Sequence, residues 1–301
     1  MTPLYPYQAI GFLLGLIFGS FLNVCISRVP KSESIISPGS HCPQCGSPIR
    51  WYDNIPLLSW LILRGRCRNC KKSIPLTYPA VELAVALWFA FQAKEIATGP
   101  SSTIQILEIV SITILGFLLI GLTVIDWQTL TLPDAFTLTG IATALFIVCT
   151  QAIFLGPTED QVLLTKHSLH LTSPGGVTDH GNVFLTGPES LIFGRIAAVA
   201  GAALLLLIVR WLYRALRHRE GMGLGDVKLL AMIAAFLGFW PSILSLFVGV
   251  LLASIYGVFL LLRGKAHATT KLAFGSFLAI GGLVSAQFGD RIIAMYAALL
   301  R

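Results

Sequence analysis

What most constrains this chain is a succession of apolar runs, each close to the length needed to cross a bilayer as an α-helix. A hydrocarbon core about 30 Å thick calls for about 20 apolar residues at about 1.5 Å of rise each. Runs of that kind lie near 7–27, 78–97, 104–125, 135–155, 191–212, 227–241, 243–262 and 273–290. Hydrocarbon offers no partner to backbone N–H and C=O groups, so the runs must be helical. With 55% hydrophobic and only 12% charged residues, an ordinary soluble domain is excluded. The expectation is an all-α polytopic membrane protein of about eight transmembrane helices, with Trp240-Pro241 dividing the sixth and seventh runs into a helical hairpin.

Charge orients the chain. The first 27 residues carry no charged side chain and no basic leader region, which argues against a cleavable signal peptide and places the N-terminus outside. The inner segments are then 28–77, 126–134, 210–228 and 263–272, and they hold 16 of the 21 Lys and Arg residues, as the positive-inside rule requires. Topology and anionic membrane lipid account for the net charge of +7 without a nucleic-acid partner. The chain divides into a first helix (1–30), an inner soluble segment (31–77) and a membrane domain (78–301) whose outer loop spans 156–190. The loop histidines His167, His170 and His180 are scattered, and no metal role is assigned to them.

The inner segment contains Cys42-Pro43-Gln44-Cys45 and Cys67-Arg68-Asn69-Cys70, two CxxC pairs separated by 21 residues. That spacing is a zinc-ribbon signature, in which four thiolates close a tetrahedral structural Zn²⁺ site with no open position. Two disulfides are the alternative, opposed by a reducing cytoplasm. A metal would stabilise a segment too short to build much core of its own. In the first run, Gly11, Gly15 and Gly19 recur at four-residue spacing, which suits close helix packing.

Two acids stand at the inner ends of long runs. Asp226 closes Gly223-Leu224-Gly225-Asp226 and is followed by Lys228; Asp126 ends Thr123-Val124-Ile125-Asp126, shortly before Pro133-Asp134. As structural readings, Asp134 is an N-cap and Asp226 stabilises a helix start. Asp126, at a helix C-terminus, is opposed by the dipole and needs a compensating partner. Brought together, Asp126 and Asp226 form an aspartic dyad sharing a proton, one member activating water and the other polarising a carbonyl. Helix polarity predicts that Asp126 takes the proton and Asp226 the charge. Proton-coupled transport is the competing class, weakened by the absence of an inverted repeat and by acids at the membrane edge rather than its middle.

These motifs, in this order, resemble the bacterial type IV prepilin peptidases, also called leader peptidase/N-methyltransferases, among the aspartic membrane proteases with a Gly-x-Gly-Asp motif. The resemblance runs through Gly19-Ser20-Phe21-Leu22-Asn23-Val24, Arg28 and Pro30, the four cysteines, Asn54 to Trp60, Tyr78-Pro79-Ala80-Val81-Glu82, Asp126, Leu132-Pro133-Asp134, and Gly223 to Lys228. It implies removal of a short basic leader from type IV prepilins or type II secretion pseudopilins, on the cytoplasmic side of the inner membrane with the N-terminus in the periplasm. Asp126 and Asp226 match the catalytic pair, and Gly223, Gly225, Lys228 and Asp134 fall where substrate or the dyad would be supported. Methylation of the new N-terminus with S-adenosylmethionine is implied by the resemblance alone. Gln128 replaces an acid that relatives often carry, and the 156–190 loop is longer than usual. Intramembrane aspartyl proteolysis of other clients is the alternative activity.

Overall fold

The computed structural model describes residues 5–97, 102–154, 188–217, 222–264 and 272–299. The expectations attached to His167, His170, His180 and Gly221 fall outside them. Eight long helices occupy the positions of the eight apolar runs: α1 (Tyr5–Arg28), α3 (Thr77–Ala97), α4 (Thr103–Thr129), α5 (Asp134–Phe154), α6 (Pro188–Arg217), α7 (Leu224–Leu237), α8 (Phe239–Leu262) and α9 (Phe274–Leu299). A five-residue helix, α2 (Leu58–Ile62), lies between α1 and α3. Among the described residues there is no β-strand, only two isolated bridges.

Five helices, α1, α4, α5, α6 and α8, are long and apolar enough to cross a membrane. The other three differ for visible reasons. Helix α3 carries Glu82, Gln92, Lys94 and Glu95, and the apolar part of α9 stops at Gly289. Helix α7 has 14 residues, about 21 Å at 1.5 Å each, short of the hydrocarbon thickness. It is apolar all round because it is enclosed by protein: Leu229, Leu230, Met232, Ile233, Ala234 and Ala235 are fully buried. Helices α4, α5, α6, α8 and α9 all pack on it, so the core of the molecule is this short helix and its sleeve.

The division of the sixth and seventh runs falls at Gly238, not at Trp240-Pro241. Gly238 has φ +92° and ends α7, while Pro241 lies in the first turn of α8. Proline is tolerated in a first turn because the N–H it lacks has no intrahelical acceptor there. Gly11, Gly15 and Gly19 do pack as their spacing predicts. A Cβ on each would fall 2.7, 2.5 and 2.7 Å from Ala93, Ala86 and Glu82 of α3 respectively, so the two backbones touch where a side chain would hold them apart.

Candidate active site

Asp126 lies in the last turn of α4, and Asp226 in the first turn of α7; they are 5% and 9% exposed. The two carboxylates are close enough that the charge of Asp126 acts on Asp226. Lys228 does not neutralise either. Its Nζ is 2.6 Å from Asp134 Oδ1 at the start of α5, which leaves the buried acids to each other. Asp134 is the first residue of α5 and not the N-cap that the sequence suggests: the Phe136 N–H bonds the Pro133 carbonyl at 3.1 Å, while the Asp134 carboxylate ties α5 to α7.

Asp226 is the third residue of α7, and its Oδ2 accepts the Gly223 N–H at 3.2 Å. This is the half of a capping box that remains when the cap residue is glycine. For Asp126 the compensating partner is the N-terminus of α9. Its Oδ2 accepts the Ser276 N–H at 2.6 Å and lies 3.0 Å from Ser276 Oγ. The C-terminal dipole of α4 is therefore opposed by the N-terminal dipole of α9, and helix polarity no longer separates the two acids as the sequence alone suggested. Around this contact Trp127, Tyr256 and Phe277 form a three-ring cluster with centroids 5.5 to 6.2 Å apart, which clasps α4, α8 and α9 together. Ser276 is a site residue that sequence reasoning missed: Phe274-Gly275-Ser276-Phe277 reads as a packing motif until α9 is placed.

Leu132, from the loop joining α4 and α5, is wedged between the two helix starts. A Cβ on Gly225 would fall 3.0 Å from Leu132 Cβ, and one on Gly275 would fall 2.8 Å from Leu132 Cδ1 and 3.0 Å from Asp126 Oδ2. Each glycine precedes a residue of the acid site, and each makes room for the same leucine. Gln128 lines a cavity of about 50 Å³ with Asn23, Ser27, Thr77 and Tyr78.

Motifs far apart in the chain meet beside this site. Asn23 Nδ2 donates to the Tyr78 carbonyl at 3.0 Å, and buried Glu82 accepts the Leu57 N–H at 2.8 Å. Leu57 has φ 58° and ψ −50°, and Leu58 N–H bonds the Pro56 carbonyl at 2.6 Å. That is a γ-turn of the strained kind, pinned by Glu82.

The inner segment contains the same turn twice, 25 residues apart. Cys42 and Cys67 accept N–H bonds at 2.9 and 3.0 Å from Gly46 and Lys71, both at positive φ. They donate their own N–H groups to Ser47 and Lys72 at 2.9 and 2.8 Å. One sulfur from each of Cys42, Cys45, Cys67 and Cys70 lies within 4.8 Å of all the others, with Cys42 and Cys70 Sγ 3.9 Å apart. A tetrahedral site with metal–sulfur distances of about 2.3 Å places sulfurs about 3.8 Å apart, so the donor set fits such an ion. The hydroxyl and then the backbone N–H of Ser47 lower the Cys45 thiol to about 6, toward the thiolate a metal needs. At Cys70 a backbone bond from Lys72 acts to lower the thiol, but burial and the neighbouring thiols outweigh it and raise Cys70 to about 11. Outside the thiols, Arg68 grips Asp53 with two bonds of 2.6 and 2.7 Å, and Lys72 reaches Gln44 at 3.0 Å across the paired turns. Arg68 accordingly holds the Asp53 carboxyl below its usual range.

Fold and site together define an all-helical, multi-pass membrane protein with two buried carboxylates, one within reach of the other's charge, at one end of the bundle and a four-thiol cluster in the segment attached there. The chain belongs to the type IV leader peptidase family. Residues 13–96 match the bacterial peptidase A24 N-terminal domain and 180–258 the type IV leader peptidase family model. It is 31% identical over 315 residues to the prepilin leader peptidase/N-methyltransferase of Aeromonas salmonicida strain A449, covering 96% of this chain and 94% of that protein. To the proteins of the same name from Pseudomonas putida and Pseudomonas aeruginosa it is 30% and 32% identical, covering 100% and 94% of this chain and 96% and 91% of theirs. No solved structure matches the chain. Asp126 lies in neither matched segment, so its place in the site rests on geometry.

Proposed function

We propose that this protein is a membrane aspartic endopeptidase that removes the short basic leader from type IV prepilins or type II secretion pseudopilins, and then methylates the new N-terminus. The observation that carries the reading is the pair Asp126 and Asp226: buried, within each other's field, and with Lys228 committed to Asp134. Two such carboxyls share one proton. The ionised member takes a proton from water as it attacks the scissile carbonyl, while the protonated member donates to the carbonyl oxygen. The tetrahedral diol then collapses: its C–N bond breaks, the proton taken from water passes to the leaving amine, and a hydroxyl proton of the diol returns to the member that donated, which regenerates the pair. Gly223 leaves room for substrate backbone beside Asp226, whereas the space at Gly225 is taken by Leu132 and not by substrate as the sequence suggested; Lys228 with Asp134 supports the α5–α7 edge of the site.

Cys42, Cys45, Cys67 and Cys70 would hold a structural Zn²⁺, which contributes folding energy and no chemistry. Neither of two cavities in the structure fits S-adenosylmethionine. The cavity beside Gln128 is far smaller than a nucleoside, and a groove of about 570 Å³ between α1, α3, α4 and α5 is lined mainly by apolar side chains such as Leu14, Phe18 and Phe89. No methylation step is therefore assigned to named residues. The Lys and Arg distribution supports an inner-membrane location with the N-terminus in the periplasm and the dyad on the cytoplasmic side, in contact with anionic lipid.

The test is leader removal from a prepilin by the detergent-solubilised protein, followed as a mobility shift. Asp126→Asn and Asp226→Asn should each abolish it while remaining folded. Normal cleavage by either variant overturns the dyad.

A further inference from the structure

The hydroxyl of Ser276 has one hydrogen and two acceptors. Its Oγ lies 2.9 Å from the Thr123 carbonyl oxygen and 3.0 Å from Asp126 Oδ2, and it can donate to only one of them at a time. The Ser276 N–H has no such choice and donates to Asp126 Oδ2 at 2.6 Å. Ser276 itself is 1% exposed, so water cannot stand in for either bond. Trp127 and Phe277, the chain neighbours of Asp126 and Ser276, belong to one aromatic cluster and hold the contact in register.

Resting on the dyad reading above, we propose that Ser276 is the positioning residue of Asp126, and that its hydroxyl alternates between Thr123 and Asp126 with the protonation of that acid. When Asp126 is ionised, the hydroxyl donates to Oδ2 and leaves the Thr123 carbonyl. When Asp126 carries the proton on Oδ2, that proton is donated to Ser276 Oγ, and the serine hydrogen turns to the Thr123 carbonyl. No proton leaves the serine; only the direction of its O–H changes. Oδ2 of Asp126 is thus bonded in both protonation states within one heavy-atom arrangement. A dyad member that gains and loses a proton in each turnover then needs no backbone movement to do so, which is the preorganisation that lowers reorganisation cost during catalysis. The charged groups around Asp126 on the neighbouring helices are consistent with this: the charge of Asp126 acts on Asp226 of α7, and Lys228 is bonded to Asp134 of α5.

The experiment uses the full-length enzyme in detergent, with Ser276→Ala and Ser276→Thr, and measures kcat, KM and the pH–rate profile for prepilin cleavage beside the melting temperature. Loss of one charge-assisted bond corresponds to a fall in kcat of about tenfold or more in Ser276→Ala, with KM within about twofold. Ser276→Thr, which keeps a hydroxyl, should recover kcat to within about threefold. Because the hydroxyl serves both forms, the limbs of the profile should move by less than about 0.5 unit while the plateau falls. An unchanged kcat in Ser276→Ala overturns the proposal. So does a loss that only tracks the folded fraction, or a full-unit displacement of one limb, which would mean the hydroxyl serves a single protonation state. If Asp126→Asn cleaves normally, the dyad itself fails, and that result is separate from any of these.

Discussion

Gly275→Ala tests how tightly the acid site is built. The new methyl would be 2.8 Å from Leu132 Cδ1 and 3.0 Å from Asp126 Oδ2. Ordinary carbon–carbon contact begins near about 3.5 to 4.0 Å, so the leucine methyl is short by about 1 Å, and the carboxylate oxygen by a few tenths. The two neighbours differ in their freedom. Leu132 Cδ1 is the end of a flexible side chain, whereas Asp126 Oδ2 is bonded to the Ser276 N–H at 2.6 Å and cannot retreat without losing it. Overpacking of this kind costs about 1 to 3 kcal/mol. If most of it is felt by the placement of Asp126, kcat falls about 5- to 150-fold. The assay is steady-state cleavage of a prepilin by equal amounts of folded enzyme, with folding checked by melting temperature. Adding Leu132→Ala should recover part of the loss, because it removes one of the two clashes and leaves the other. A Gly275→Ala enzyme with kcat within twofold of the parent would refute the reasoning, since the start of α9 could then shift without disturbing Asp126.

Further outcomes follow from helix packing, from the bond at Leu57 and from the thiol cluster. Gly15→Leu would drive a side chain into the α3 backbone at Ala86, where even a Cβ is 2.5 Å away; loss of most folded protein is expected, read as monodisperse yield. Glu82→Ala leaves the Leu57 N–H without its acceptor, which should cost about 1 to 3 kcal/mol in thermal or denaturant stability, while Leu57→Gly, relieving a positive φ, should gain about 1 kcal/mol. Metal analysis of the purified protein should find one Zn²⁺ per chain. Its removal by a chelator should lower the melting temperature, with kcat of the fraction that stays folded changing by less than about twofold.

The sequence by itself determined the helices and the four-cysteine group. Apolar runs at bilayer length located eight helices, because a chain in hydrocarbon has no other way to bond its backbone, with ends that differ by up to nine residues in α9 and five in α6. Cys42, Cys45, Cys67 and Cys70 were legible because metal-binding turns are local: each pair of thiols is presented by four consecutive residues. The two aspartates were visible as acids where apolar runs end. The turn at Gly238 was misplaced to Trp240-Pro241 because proline marks both helix starts and helix breaks, and only the backbone angle distinguishes them. What holds the acids was decided by tertiary structure alone. Ser276 is 150 residues from Asp126 and Glu82 is 25 from Leu57, and nothing local in either stretch signals its partner. Leu132 lies between Gly225 and Gly275 because the α4–α5 loop meets the starts of α7 and α9 at one end of the bundle. A dipole argument confined to α4 gave Asp126 an unfavourable position; the start of α9, brought to it by packing around the short enclosed helix α7, supplies the N–H and O–H groups that make that position tenable.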